Sequence, residues 1–127
     1  MPLKEHGLVA VVDDDSSMLN ALRRLLVVHR FQVETFASAE EFLLSPVLDQ
    51  IACVVSDVDL RDGMSGLALG EAMLARGHAT PIIFMTALAD SEVRRRALAL
   101  GCSAFLEKPF SAEMLVESVA KAITGPK

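Results

Sequence analysis

The chain has 127 residues, of which 52% are hydrophobic, and its formal net charge at pH 7 is −5. This length suits one compact domain with a substantial core, and the acidic balance argues against nonspecific nucleic-acid binding, because no general basic surface displaces counterions. The sequence has no apolar run of the roughly 20 residues that span a bilayer. Its N-terminus lacks the layout of a signal peptide, so we expect a cytoplasmic protein without membrane contact.

Apolar runs alternate along the chain with segments of helical periodicity. The first run, residues 8–12, precedes a helix for which Ser16 or Ser17 is the predicted N-cap. Asp15 is expected at the entry to this helix, where its charge meets the helix N-terminus. The pattern S-x-x-E at residues 38–41 predicts a capping box that opens a short helix. In chain order, the other predicted strands are 31–36, 51–56, 81–86 and 103–106, and the later helices are 67–76, 91–100 and 111–123.

Five strands that alternate with five helices predict an α/β fold with a parallel sheet and helices on both faces. About 120 residues suit a doubly wound, flavodoxin-like sheet of order 2-1-3-4-5, in which ligands bind beyond the carboxyl ends of strands 1 and 3. We expect one domain over residues 1–127, with its core at about 6–124. Residues 125–127 are expected to be a tail or the start of a linker.

Polar side chains collect at the carboxyl ends of these strands. Three acids follow strand 1, Asp57 follows strand 3, Thr86 closes strand 4 and Lys108 follows strand 5. Two carboxylates about 4 Å apart repel by about 4 kcal/mol at an effective dielectric near 20. A hard divalent cation relieves this repulsion, and carboxylates with backbone oxygens suit magnesium.

An ammonium, a hydroxyl and a metal at one edge are what phosphoryl transfer requires. Neither G-x-x-x-x-G-K-[ST] nor G-x-G-x-x-G occurs in the sequence. The chain is therefore expected to handle a phosphoryl group without holding a nucleotide. A carboxylate is then the natural acceptor and would form an aspartyl phosphate.

Five short motifs in this order resemble the receiver domain of two-component response regulators, with its CheY-like fold. They are VVDD (11–14), VVSD (54–57), MSG (64–66), MTA (85–87) and EKPF (107–110). The resemblance covers essentially the whole chain. The stretches SAEEFL (38–43) and FLEKPF (105–110) are most similar to receivers of the FixJ group.

The resemblance implies a role for each matching position. Asp57 matches the phosphoacceptor, Asp14 the direct magnesium ligand, and Asp13 an acid that acts largely through metal-bound water. The backbone carbonyl of Asp59 is implied as a further magnesium ligand. Thr86 matches the switch hydroxyl and Phe105 the switch aromatic residue. Lys108 matches the lysine that pairs with the phosphoryl group, and Lys108–Pro109 matches a cis peptide bond.

Two departures from the family pattern lie beyond the acceptor. Arg61 occupies a position that is often proline, and the segment from Asp57 to Gly66 is one residue longer than in the commonest pattern. We expect Gly63 to absorb the extra residue with a positive φ. Arg61 either covers the phosphate or faces water.

The resemblance also implies partners and an output. The phosphoryl group would come from a sensor histidine kinase or a histidine phosphotransfer protein. Phosphorylation would reshape the face formed by helix 4, strand 5 and helix 5, which then forms a homodimer or contacts an output domain. Arg94–Arg95–Arg96 on this face either form a solvated helix surface or pair with acids of a second receiver.

Two alternatives to a phospho-accepting receiver remain. Asp57-Val58-Asp59 resembles the D-x-D motif of haloacid dehalogenase-type phosphatases, although there the motif follows the first strand and a cap domain is common. A degenerate receiver would be an interaction module that never takes phosphate. We expect a signalling phosphoacceptor, not an enzyme, that catalyses only its own phosphorylation and dephosphorylation. Cys53 and Cys102 are expected to be buried free thiols.

Overall fold

The computed structural model describes residues 7–60, 63–87 and 90–124. Five parallel strands form one sheet of order β2-β1-β3-β4-β5, which confirms the predicted topology. Each observed strand boundary lies within one residue of its prediction, and Asp57 is the last residue of β3 rather than the first after it. The strands are β1 Leu8–Val12, β2 Gln32–Phe36, β3 Ile51–Asp57, β4 Ile82–Thr86 and β5 Ala104–Glu107.

Five α-helices connect or follow the strands. They are α1 Ser16–Val28, α2 Ala39–Leu43, α3 Gly66–Ala75, α4 Ser91–Ala99 and α5 Ala112–Thr124. A 3₁₀ turn at Leu48–Gln50, which periodicity did not predict, leads into β3. The Ser38 N-cap of α2 is confirmed, because the Ser38 hydroxyl accepts a hydrogen bond from the Glu41 N–H at 3.1 Å. The Glu41 carboxylate accepts the Ala37 N–H at 3.4 Å, so the second half of the predicted capping box is displaced by one residue.

Two apolar layers cover the two faces of the sheet. Even-numbered residues of β1, β3 and β4 pack with α2, α3 and α4, and Phe84 is fully buried at the centre of that layer. The odd-numbered residues of the same three strands, apart from Ile51, pack with α1 and α5, around Leu26 and Leu115. The central strands are therefore apolar on both sides, as parallel strands under helices require, and they fix the polar residues at their carboxyl ends.

The N-cap of α1 is Asp15, so the prediction of Ser16 or Ser17 is wrong. The Asp15 carboxylate accepts hydrogen bonds from the Ser17 N–H at 2.9 Å and the Met18 N–H at 3.4 Å. Its extended backbone, with φ −97° and ψ 110°, is typical of an N-cap. The third aspartate of the cluster thus stabilises the helix N-terminus.

Replacing Asp15 with alanine is expected to lower the free energy of unfolding by about 1 kcal/mol, because two N–H groups of α1 lose their acceptor. Urea unfolding followed by far-UV circular dichroism measures this change. Ser16→Ala is the matched control and should leave stability nearly unchanged. An equal loss in Ser16→Ala would contradict the assignment of the cap.

The loop between β3 and α3 contains the predicted left-handed glycine. Gly63 has φ +81°, which confirms the positive φ expected there; that it absorbs the extra residue stays a prediction. Arg61 and Asp62 lie outside the described residues, so the expectation for Arg61 stays a prediction. Within the described ranges, none of the helices is both long enough and apolar enough to cross a bilayer.

The two cysteines are free thiols in different environments. Cys53 in β3 is fully buried, and burial raises the pKa of its thiol to about 12. Cys102 is only partly buried, so the expectation of a buried thiol holds for Cys53 but not fully for Cys102.

Candidate functional site

Asp57 lies at the carboxyl end of the central strand β3 and is only 7% exposed. Its two carboxylate oxygens have different partners. Oδ1 accepts a hydrogen bond from the Asp59 N–H at 3.0 Å, and Oδ2 accepts one from Lys108 Nζ at 2.8 Å. The carboxylate is therefore held in one orientation at the floor of the crevice.

Asp13 lies beside it, directly after β1. Its Oδ1 accepts the Asp15 N–H at 2.9 Å, but its buried Oδ2 accepts no hydrogen bond from any residue that the structure describes. Lys108 Nζ is 3.9 Å from that oxygen. Burial raises the pKa of Asp13, the Asp15 N–H opposes this, and the negative charge of Asp57 adds to it. A buried carboxylate oxygen without a donor is costly.

Lys108 reaches the site from the segment after β5. Its backbone N–H donates to the Thr86 carbonyl at 2.8 Å, and the Lys108–Pro109 peptide bond is cis, as the resemblance implied. Burial lowers the pKa of the ammonium, but the hydrogen bond and charge of Asp57, followed by the charge of Asp13, leave this pKa above its ordinary value. Lys108 therefore stays charged and acts as the counter-ion of both carboxylates.

A cleft of about 220 Å³ joins these groups at the carboxyl edge of the sheet. Its lining includes all of the predicted acids and the lysine: Asp13, Asp14, Asp15, Asp57, Asp59, Ala87 and Lys108. Asp14 and Asp59 are exposed, unlike Asp13 and Asp57. The structure thus brings together the acids and the lysine that the sequence placed at three separate strand ends.

The two proposed switch residues lie behind the cleft rather than in its lining. Thr86 is fully buried at the end of β4. Phe105 is partly buried and lies opposite Phe84 in the β4–β5 register. Phe84 in turn precedes Thr86 by two residues on β4. Since side chains alternate along a strand, Thr86 and Phe105 face the same side of the sheet, toward α4.

Arg94 of α4 covers Phe105. Its guanidinium carbon is 5.0 Å from the ring centroid, and its Nη2 donates to the Glu107 carboxylate. The other two arginines also pair with acids of this chain, Arg95 with Glu92 and Arg96 with Glu71. The three arginines are thus exposed but paired within the chain.

The donor chemistry of the cleft fits a hard cation. Among residues 7–60, 63–87 and 90–124, no three His, Cys, Asp or Glu side chains are grouped as a metal site. The cleft nevertheless offers carboxylate and carbonyl oxygens, and the buried Oδ2 of Asp13, which accepts no hydrogen bond from the described residues, is an oxygen that a cation would satisfy.

Two residues near the acceptor were not predicted to take part in the site. A Cβ on Gly66 would lie 2.1 Å from the Asp57 carbonyl oxygen, so only glycine allows α3 to begin this close to the acceptor. The MSG motif contained this glycine without revealing the contact. Glu40 of α2 accepts a hydrogen bond from the Met64 N–H at 2.7 Å, and no local pattern indicates this pairing.

Comparison with known proteins agrees with this geometry. Residues 9–120 match the response regulator receiver domain family. The chain is 37% identical over 115 residues to the transcriptional regulatory protein TdiR of Thauera aromatica, covering 91% of this chain and 50% of TdiR. It is also 37% identical over 117 residues to FixJ of Bradyrhizobium diazoefficiens, covering 92% and 57%. The chain therefore spans about half the length of these two relatives.

Solved structures give the same result. A response regulator receiver protein from Pseudoalteromonas atlantica superposes with a TM-score of 0.86 at 30% identity, over 94% of this chain and 99% of that one. The CheY-like fold and the FixJ-like sequence that the motifs indicated are both confirmed. The chain belongs to the response regulator receiver domain family of two-component systems.

Proposed function

We propose that Asp57 accepts a phosphoryl group from a phosphohistidine and that the chain thereby switches an output. The observation that carries this proposal is the ordered Asp57 carboxylate, with Lys108 Nζ 2.8 Å from its Oδ2 at the floor of an open cleft. One carboxylate oxygen attacks phosphorus, the bond to the histidine nitrogen breaks, and that nitrogen keeps the electron pair. The products are an aspartyl phosphate and a histidine side chain.

Magnesium is the proposed cofactor. The carboxylates of Asp14 and Asp57 and the carbonyl of Asp59 would hold it directly, and Asp13 would act through water. Bound there, the ion would neutralise charge on the phosphoryl oxygens. Two features of Asp13 support this proposal: the side chain is buried, and its Oδ2 accepts no hydrogen bond from the described residues.

Lys108 is proposed to assist the phosphoryl transfer, and Thr86 to start the conformational change that follows it. Lys108 would stabilise the charge on a phosphoryl oxygen, since its ammonium already contacts the acceptor. The Thr86 hydroxyl would move toward the new dianion, and Phe105 would turn inward behind it. That movement would withdraw the ring from Arg94 and change the surface of α4, β5 and α5.

The proposed phosphoryl donor is a sensor histidine kinase or a histidine phosphotransfer protein in the cytoplasm. The changed face would form a homodimer or contact an output domain, and this domain itself would not bind nucleic acid. TdiR and FixJ are named as transcriptional regulatory proteins, which supports a regulatory output. We propose a phosphoacceptor that is not an enzyme toward other substrates.

Incubation with acetyl phosphate and magnesium tests this function against both alternatives. We expect intact-mass spectrometry to show one added phosphate that disappears when EDTA replaces magnesium. Sustained turnover of a phosphoester would instead indicate a phosphatase. A chain that gains no phosphate and turns nothing over would indicate a degenerate receiver.

A further inference from the structure

Residues 63–66, which follow the acceptor and precede or begin α3, contact helix α2 from another part of the chain. Glu40 in the first turn of α2 accepts a hydrogen bond from the Met64 N–H at 2.7 Å, across 24 residues of sequence. The acceptor oxygen is a carboxylate, and hydrogen bonds to charged acceptors are stronger than neutral ones. Glu40 therefore holds the loop from outside.

The glycine turn of the loop lies directly against the same carboxylate. A Cβ on Gly63 would clash with Glu40 Oε2, the same oxygen that accepts the Met64 N–H. Gly63 also has a positive φ of +81°, so two features of this position favour glycine beside the Glu40 carboxylate.

The other end of the loop returns to the backbone of the acceptor. The Gly66 N–H donates to the Val58 carbonyl at 2.9 Å, and the Cα of Gly66 packs against the Asp57 carbonyl so closely that no side chain fits. Met64 is two residues before Gly66. The hydrogen bond to Glu40 therefore restrains a short segment that packs on the residue proposed to be phosphorylated.

We propose that Glu40 is a positioning residue for phosphoryl transfer to Asp57, which rests on the proposed function. It does not touch the reacting atoms. By holding Met64, it keeps residues 63–66 packed on the Asp57 backbone and keeps the acceptor carboxylate aligned for attack. Small misplacements of reacting groups cost large factors in rate, so freeing the loop slows phosphorylation.

Three variants test this inference with acetyl phosphate and magnesium, using the rate of mass gain as the readout. Glu40→Ala is expected to slow phosphate uptake about tenfold. Glu40→Gln keeps an oxygen acceptor for the Met64 N–H and should recover most of the rate. Glu117→Ala, an exposed acid on α5, is the matched control and should match the wild type.

Amide hydrogen exchange at Met64 reads the contact itself. We expect faster exchange in Glu40→Ala and near wild-type exchange in Glu40→Gln, with unchanged far-UV circular dichroism showing that each variant is folded. Wild-type uptake rates in Glu40→Ala, or equal slowing in both variants, would overturn this inference alone. A wild-type chain that gains no phosphate would overturn the proposed function and this inference together.

Discussion

Asp57→Asn is expected to abolish phosphate uptake from acetyl phosphate. The asparagine side chain has nearly the same shape and can still accept the Asp59 N–H at the Oδ1 position, but its amide is no nucleophile comparable to a carboxylate. Lys108 would keep Asp13 as its counter-ion, so we expect the fold to persist. Intact-mass spectrometry in the presence of magnesium should show no added phosphate.

Asp59→Asn is the matched control, because it makes the same chemical change two residues away. Asp59 is exposed, and its contact with Asp57 is made by the backbone N–H, which the substitution retains. We expect this variant to gain one phosphate. If Asp57→Asn still gained phosphate, the acceptor would have to be another side chain, and the proposed role of Asp57 would be wrong.

Most of the architecture could be predicted because buried parallel strands have a simple sequence pattern. The three inner strands β1, β3 and β4 are short, mostly apolar runs, and β4 is buried at all five positions. The sheet then determines which residues meet. Asp13, Asp57 and Lys108 are far apart in sequence, but the strand order brings their strand ends to one edge.

The N-cap of α1 and the role of Glu40 were not predicted, because both depend on tertiary contacts. Three residues, Asp15, Ser16 and Ser17, can each cap a helix, and propensity does not choose among them. In the structure the Asp15 backbone is extended and its carboxylate accepts N–H groups of the first turn, whereas Ser16 is already helical. Glu40 was predicted only as part of a helix, because its partner Met64 belongs to a loop that local patterns do not connect to α2.

The sequence also could not predict the side-chain contacts within the cleft. The motifs predicted that an ammonium and several carboxylates lie together. They did not predict the 2.8 Å contact of Lys108 with Asp57, or the Asp13 oxygen that accepts no hydrogen bond from the described residues. These details depend on side-chain torsions and on burial, which also separates the buried Asp13 from the exposed Asp14 and Asp15.

The three aspartates after β1 are expected to contribute unequally to magnesium binding. Asp14→Asn should raise the dissociation constant for magnesium at least about 100-fold. Asp13→Asn should raise it about tenfold, because Asp13 is proposed to act through a water molecule. Asp15→Asn should change it less than about twofold, because asparagine also caps helices well. Isothermal titration calorimetry is the suitable measurement, since the chain has no Trp or Tyr for intrinsic fluorescence. Equal losses in all three variants would contradict this division.

Asp13→Asn should also stabilise the metal-free protein by about 1 kcal/mol or more. The substitution removes the negative charge of a buried oxygen that accepts no hydrogen bond from the described residues. The pKa of Asp13 is raised in the folded state from its ordinary value of 3.8. Its contribution to stability is therefore fully present below pH 3.8 and is lost as the pH rises through the folded pKa. Urea unfolding should show the advantage of Asp13→Asn at pH 7 and its decline toward pH 3.5. A variant less stable than the wild type at pH 7 would show that the pairing of Asp13 with Lys108 outweighs the cost of burial.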